Sequence, residues 1–364
     1  FDHPIYTNVQ FPFPCTPPVV PQANPTGCYQ RKFSIPDSWS KEDQVRVIFD
    51  GVDSAFHLWC NNHWVGYSQD SRLAAEFDLS KVIACGQNTL SVLVLRHCDG
   101  SYMEDQDMWN LSGIYRSVRL LRKPHSRMTD LRVTATLDDR YEDGLLKLEV
   151  QTEHAEDCSI ALALYAANDL AGAALLEQVH SVGTGHIDEK GAYTDRCHLS
   201  IPVHSPKHWS AECPNLYRLT VTLLDAKQQP IESEAYDAGF RSVDIIAGQL
   251  CVNGQPLLVR GVNKHEHDPA TGHTESLALV EQDLRLMKQN NFNAVRCSHY
   301  PHQPGLYRLC DRLGLYVVDE ANIETHGVTP MSRLANDPMW ANAFLERMVR
   351  MVSRDFNHAC IILW

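Results

Sequence analysis

The sequence is poor in several things that decide a protein's class. Its twelve cysteines lie singly between Cys15 and Cys360, with no C-x-x-C pair. Zinc ribbons and thioredoxin-like sites need such pairs, and disulfide scaffolds are short and dense in cysteine. The scattered pattern, with no signal peptide at the first residues, implies free thiols and a cytoplasmic protein. No apolar run approaches the ~18 residues of a membrane span. Positive charge is scarce: 32 Lys and Arg stand against 45 Asp and Glu, for a formal net charge of −13. Nucleic acid and anionic membrane surfaces call for basic faces, so neither is an expected partner. An initiator methionine is absent too, and more chain is expected upstream of Phe1.

What is present is a long chain with ample apolar content. A length of 364 residues with 44% hydrophobic residues fits two or three domains. The start is crowded with Pro4, Pro12, Pro14, Pro17, Pro18, Pro21 and Pro25. Proline gives no amide to a strand ladder, so 1–30 reads as an extended arm. From Arg31 to Leu121 short β-branched and aromatic runs recur, at Val45 to Phe49, Ala55 to Trp59, Trp64 to Tyr67, Thr89 to Leu95 and Ile114 to Leu121. Asp50-Gly51, Asn61-Asn62 and Asp99-Gly100 supply turns between them. This rhythm predicts an all-β sandwich or jelly roll over 1–123. Trp39, Trp59, Trp64 and Trp109 suit a sugar-contacting surface, but core packing is the plainer role for most of them. The polar stretch Arg122 to Asp130 reads as a linker. A second β rhythm over 124–242 predicts an immunoglobulin-like sandwich without catalytic residues.

After Gly239 the period changes. Asn253-Gly254 turns a hairpin, and strands then alternate with helices. Strands are expected at Leu257 to Val262, Ala294 to Cys297, Leu315 to Val318 and Cys360 to Trp364. Helices are expected at Ser276 to Asn290, Pro304 to Leu313 and Pro338 to Arg354. Alternation at this period means βαβ units and a parallel sheet. Over 243–364 it makes four βα units, where a closed (β/α)8 barrel needs eight. Such an open half barrel has an edge strand with unpaired amides, a liability for any protein made of these residues alone.

The chemistry gathers where the first three strands end. Asn263, Lys264, His265, Glu266, His267 and Asp268 follow the first. Arg296, Ser298, His299 and Tyr300 follow the second. Asp319, Glu320, Glu324 and His326 follow the third. Barrel enzymes place their catalytic residues at the carboxyl ends of strands, so three such endings point to an active face. Glu324 and His326 can aim at one point and hold a metal or a substrate hydroxyl. His265 and His267 also fit an H-x-H zinc pair if they continue a strand, where alternate residues share a face. Cys297 lies in an apolar strand, where a buried thiol is inert.

These stretches are also long motifs. Ile5-Tyr6-Thr7-Asn8-Val9, Asn24-Pro25-Thr26-Gly27-Cys28-Tyr29 and Phe56-His57-Leu58-Trp59-Cys60-Asn61 resemble the bacterial β-galactosidases of glycoside hydrolase family 2. So do Glu104-Asp105-Gln106-Asp107-Met108-Trp109, Arg260-Gly261-Val262-Asn263 with His265-Glu266-His267, Asn293 to Pro301, and Val317 to Gly327. The resemblance is weakest from Tyr141 to His208. It implies a jelly-roll sugar-binding domain, an immunoglobulin-like domain and a catalytic (β/α)8 barrel. It implies a retaining glycosidase acting on terminal β-galactosides such as lactose, through two carboxylates about 5–5.5 Å apart. β-Glucuronidase, a non-catalytic galactose-binding protein and a zinc hydrolase are the alternatives.

The resemblance also assigns residues. Glu320 and Glu324, taken alone, look like a catalytic pair. By resemblance Glu324 is instead a magnesium ligand together with His326. Asn8, Asp107, His265 and His299 contact the galactosyl unit, and Asp107 also ligates sodium. Arg296 would pair with the nucleophile glutamate. The acid/base glutamate of the family follows a strand ending Ile-Ile-X-Trp, here Ile361-Ile362-Leu363-Trp364. Neither catalytic glutamate is therefore expected within these residues, and the chain alone is expected to be inactive. Family members are commonly tetramers, so a homo-oligomer is expected of the complete protein.

Overall fold

Alternation builds the first unit. From Gly86 to Leu95 every second residue turns inward, as Asn88, Leu90, Val92 and Val94 do, which is the period of a half-buried strand. Thr26–Ile35 and Ala55–Cys60 flank this strand antiparallel, and His63–Gln69 lies outside Ala55–Cys60. A second sheet of Ala75–Asp78, Gln44–Phe49 and Val118–Lys123 shares a core with the first through Val47, Phe49, Phe56, Leu58, Val92 and Val94. The computed structural model describes residues 3–167, 172–182, 186–187 and 193–364.

The second unit is another sandwich. One sheet contains Arg127–Leu137, Gly144–Glu153 and Tyr193–Val203, and the other Leu176–Ser181, Ser159–Ala166, Tyr217–Leu224 and Pro230–Ala238. Leu146, Leu148, Val150, Ile160, Leu162, Leu219 and Val221 fill the space between.

The third unit is parallel. Gly261–Lys264, Ala294–Cys297, Tyr316–Val318 and Ile361–Leu363 pair in chain order. The crossovers carry helix α1 (Leu277–Gln289), α2 (Pro304–Leu313) and α3 (Ala341–Asp355). Ser276 caps α1 by accepting the Leu279 amide, a common start signal. Gly314 ends α2 at φ 75°, and a Cβ there would sit 2.3 Å from the Ala211 carbonyl oxygen. Only glycine suits that position.

Four sequence expectations need correction. The arm ends earlier than residue 30, because Thr26–Ile35 pairs residue for residue with Gly86–Leu95. It is an edge strand, mostly exposed, and so lacks the alternation that reveals a strand. The linker shrinks to 124–126, since strands run to Lys123 and resume at Arg127. Its charges are strand ends held by ion pairs, Lys123 to Glu232 at 2.9 Å and Arg127 to Glu153. The first barrel strand is Gly261–Lys264, not Leu257 to Val262. The Asn293 side chain satisfies the Arg260 amide at 2.7 Å and the Leu258 carbonyl at 3.0 Å, replacing a neighbouring strand. Finally, Trp39, Trp59, Trp64 and Trp109 are not buried; the enclosed tryptophans are Trp209 and Trp340.

Polar contacts hold the units together. Arg116, from the first sandwich, is enclosed against the barrel. Its guanidinium donates to Glu266 Oε2 at 2.5 Å, to the Pro301 carbonyl at 3.1 Å and to the Arg72 carbonyl at 2.8 Å. Burial alone would raise the Glu266 carboxyl, but Arg116, His302 and Arg72 outweigh it and hold the group down at about 2. Arg347 on α3 reaches Glu104 at 2.7 Å. The second sandwich docks through Asn357, which bonds the Leu131 carbonyl and the Val133 amide at 2.8 Å each.

Asp319 closes the third strand inside the barrel and is fully buried. It accepts from the Tyr307 hydroxyl at 2.7 Å, and Asp355 of α3 faces it. Arg354 binds Asp355 through Nε at 2.8 Å and Nη2 at 2.6 Å, one cation for two carboxyls. Burial first and the Asp355 charge second push Asp319 up to about 8. Asp319 therefore keeps its proton to a higher pH than an ordinary carboxyl.

Two outcomes follow for a polypeptide that carries these residues in its full chain. Glu266→Gln leaves Arg116 enclosed without a counter-charge. Denaturant unfolding should show a loss on the order of 3–5 kcal/mol. For Asp319 the folded-state value lies above the unfolded one, so its contribution is complete below the ordinary carboxyl range and is lost as pH rises through about 8. Asp319→Asn is a neutral mimic and should lack that dependence. Its stability relative to wild type should climb between about pH 5 and pH 8, by at most about 1.4 kcal/mol per unit, then level off. A constant difference across that range would contradict the protonated acid.

Candidate active site at the strand ends

The three strand ends do different things. Lys264 turns inward and pairs with Glu275 at 2.5 Å and Asp283 at 3.3 Å. Glu266 is committed to Arg116 and to the Gln303 amide at 2.7 Å. Asp268 accepts the Ala270 and Thr271 amides of its own turn at 2.7 and 2.9 Å. Lys264, Glu266 and Asp268, three of the six residues at this strand end, are thus structural. His265, half-buried, and the exposed Asn263 and His267 remain open. The strand stops at Lys264, so the shared-face argument for a zinc pair of His265 and His267 does not apply. Cys297 is fully buried, and burial pushes its thiol well above the ordinary range.

His265 and His299 come together from adjacent strand ends. Their rings stand nearly perpendicular at 84°, with centroids 5.8 Å apart. The Tyr300 hydroxyl accepts the Glu266 amide at 3.0 Å and lies 3.3 Å from His265 Nδ1. Tyr300 thereby ties the His265 ring to the Glu266 backbone. Burial, with His299 and Arg72 behind it, lowers the His265 pKa and keeps the ring neutral. Tyr300 in turn carries the Arg72 guanidinium 4.3 Å above its ring, a contact between a cation and an aromatic face. His299 Nδ1 meets Glu320 Oε2 at 2.9 Å. Glu320 Oε1 takes Arg296, which also reaches Asn263 Oδ1 at 3.4 Å.

The first sandwich supplies the other wall. The Asp105 amide donates to the Glu324 carbonyl at 3.1 Å, and the Gly327 amide donates to Asp105 Oδ2 at 2.5 Å. This stitches the loop bearing Asp107 to the acidic stretch. The arm joins through Ile5 and Asn110, which exchange backbone bonds of 3.2 and 2.7 Å. Tyr6 donates to Asp107 Oδ1 at 2.7 Å and packs on Trp109. Asn8 is exposed at the crest of a turn, with φ 58°. Asparagine tolerates that left-handed conformation better than most residues.

Glu324 and His326 lie side by side, with His326 Nδ1 3.6 Å from Glu324 Oε1. Burial raises the Glu324 pKa, and its Oε2 is enclosed without a hydrogen-bond partner. A buried orphan carboxylate oxygen beside an imidazole fits a cation. Among the described residues no group of three or more His, Cys, Asp or Glu converges as a metal cage. The pair would therefore supply two ligands and leave the remainder to water or further residues. Asp107 offers one exposed carboxylate, already bonded at Oδ1 by Tyr6.

Three sequence models of one family match this architecture unit by unit. "Glycosyl hydrolases family 2, sugar binding domain" matches residues 1–124, "Glycosyl hydrolases family 2" matches 126–241, and "Glycosyl hydrolases family 2, TIM barrel domain" matches 243–364. The chain belongs to glycosyl hydrolase family 2. The Beta-galactosidase of Aeromonas hydrophila is 62% identical over 363 residues, covering 100% of this chain and 35% of its own length. That of Pectobacterium atrosepticum is 53% identical over 368 residues with the same coverage. The chain thus spans about a third of the curated relatives it matches. Among solved structures, a Bifidobacterium dentium β-glucuronidase complexed with coumarin-3-O-glucuronide aligns with a TM-score of 0.80 at 21% identity, over 93% of this chain and 58% of that one. A Bacteroides vulgatus β-glycosidase aligns at 0.74 and 24%, over 92% and 41%. At such identities the likeness is one of fold.

Sequence reasoning passed over Tyr6 and Asp105 as site builders. Their signal was weak, because each acts through a partner distant in sequence. For the arm, Tyr6→Phe removes the bond to Asp107 while keeping the ring on Trp109. Amide hydrogen exchange across residues 3–10 should rise several-fold, and exchange in α1 and α2 should not change.

Proposed function

We propose that the polypeptide carrying these residues hydrolyses terminal β-galactosides with retention at the anomeric carbon, and that 1–364 is the part that holds the sugar. The observation that carries this reading is the perpendicular pair of imidazoles at adjacent strand ends, faced by the arm and the Asp107 loop. Relatives named Beta-galactosidase at 52–62% identity along this chain support it. Asn8, Asp107, His265 and His299 contact the galactosyl unit. Hydrogen bonds that strengthen as the anomeric carbon gains positive charge lower the barrier rather than merely tighten binding. The two catalytic carboxylates are assigned to sequence following Trp364, one as nucleophile and one as acid, then base. Arg296 is assigned to pair with that nucleophile, since a nearby cation keeps a carboxylate ionised.

Glu324 and His326 are assigned to magnesium, and Asp107 to sodium near the sugar's 6-hydroxyl. A bound divalent cation supplies fixed positive charge at the edge of the site. The residues' own part is to present an enclosed carboxylate oxygen and one imidazole. A glucuronide substrate would instead need a free cation for its carboxylate. Arg296, the guanidinium nearest the imidazoles, is held by Glu320 and assigned to the nucleophile, which leaves it no free face for a substrate carboxylate. No helix among the described residues is long and apolar enough to cross a membrane.

The first check is intact mass of the protein from its native source, which should lie well above 41.2 kDa. That protein should cleave an aryl β-galactoside at least about 100-fold faster than the matching glucuronide, a gap of about 2.7 kcal/mol in the barrier. Equal rates would overturn the galactoside assignment. Glu324→Gln should raise the magnesium concentration needed for half-maximal activity about tenfold or more, as expected on losing a ligand's charge. An unchanged magnesium titration would remove Glu324 from the cation site.

A further inference from the structure

Glu320 is the strongest group that the proposed function leaves unused. It follows the third barrel strand directly and is partly buried. Both of its oxygens are engaged, Oε1 by the Arg296 guanidinium and Oε2 by His299 Nδ1 at 2.9 Å. Arg296 Nη2 also lies 3.1 Å from that Nδ1. The ring nitrogen cannot accept from the guanidinium and donate to the carboxylate at once.

Chemistry selects between the two. A carboxylate only accepts, and a guanidinium only donates. A bare Nδ1 would set its lone pair against the lone pairs of Glu320 Oε2 at 2.9 Å. A protonated Nδ1 forms a charge-assisted bond there. Arg296 loses little, because its donors also find Glu320 Oε1 and Asn263 Oδ1.

We infer that Glu320 is a positioning residue, whose carboxylate clamps Arg296 and His299 together and holds the His299 proton on Nδ1. The inference rests on the galactoside reading of the same site. In that tautomer Nε2 is bare and can accept from the substrate. His265 stands 5.8 Å away between ring centres, with its Nδ1 3.3 Å from the Tyr300 hydroxyl. A sugar hydroxyl, which donates as well as accepts, matches the bare Nε2 of His299. The outer partner of a functional histidine sets which nitrogen faces the chemistry.

The test uses the full polypeptide and an aryl β-galactoside. Glu320→Gln keeps the size but has one oxygen only: with that oxygen on Arg296, its amide N–H2 donates to His299 Nδ1 and moves the ring proton to Nε2. We expect kcat to fall about 10- to 100-fold, the usual range when a residue that orients a functional histidine is removed, with KM within about threefold of wild type. Glu320→Asp, which keeps the charge on a shorter stem, should recover part of the lost kcat. The thermal midpoint of both variants should stay within a few degrees of wild type. A Glu320→Gln enzyme with kcat within twofold of wild type would overturn the clamp. So would a loss of kcat that tracks a lowered midpoint and is not relieved by Glu320→Asp. A wild-type polypeptide inactive on the β-galactoside would overturn the functional reading itself, and this inference with it.

Discussion

The buried pair of Arg116 and Glu266 is the contact on which the site depends. It is made between a sandwich and a barrel loop, 150 residues apart in the chain. Two enclosed charges cost much desolvation energy, which only close geometry and further hydrogen bonds offset. Here the further bonds are abundant: Arg116 takes the carbonyls of Arg72 and Pro301, and Glu266 takes the Gln303 amide. Glu266 sits between His265 and His267, so fixing it fixes the turn that aims His265. Pro301 follows Tyr300, so the same guanidinium steadies the segment bearing His299. One arginine of the sugar-binding domain thus sets the relative position of both imidazoles.

From that anchor the site divides its charged residues into two kinds. Lys264, Glu266 and Asp319 are spent inside the protein, on Glu275, Arg116 and the Tyr307–Asp355 pair. Arg296, His299, Glu320 and Glu324 stand at the rim. Both kinds lie within a few residues of a strand's carboxyl end. What separates them is the direction of the side chain as the strand ends, inward to the core or outward to the cleft.

That direction explains what could be read from the sequence. Helix limits were legible, because Ser276, Pro304 and Gly314 are local signals that act within a few residues. The barrel's alternating period was legible for the same reason. The strand Thr26–Ile35 was not, since an exposed edge strand has no buried face to mark its period. Nor was the displacement of the first barrel strand, which depends on Asn293 reaching back to Leu258 and Arg260. At the site, the histidines and acids stood out as residue types. Their division of labour did not, because Arg116, Tyr300 and Asp355 lie far from their partners in sequence.

Trp209 belongs by sequence to the middle sandwich, yet its side chain is fully enclosed in the core of the barrel. Its indole donates to the Asp311 carbonyl of α2 at 2.9 Å and its ring meets Tyr316 of the third strand. Ala211, two residues on, lies over the glycine that ends α2. The boundary at which one family model stops and the next begins is therefore no seam in the energetics. Cut there, the barrel would lose a tryptophan-sized part of its own interior, and the sandwich would expose an indole to water. Modules that recombine freely in evolution need interfaces that each partner can do without. This junction is not of that kind, and the two units are bound to be inherited and to melt together.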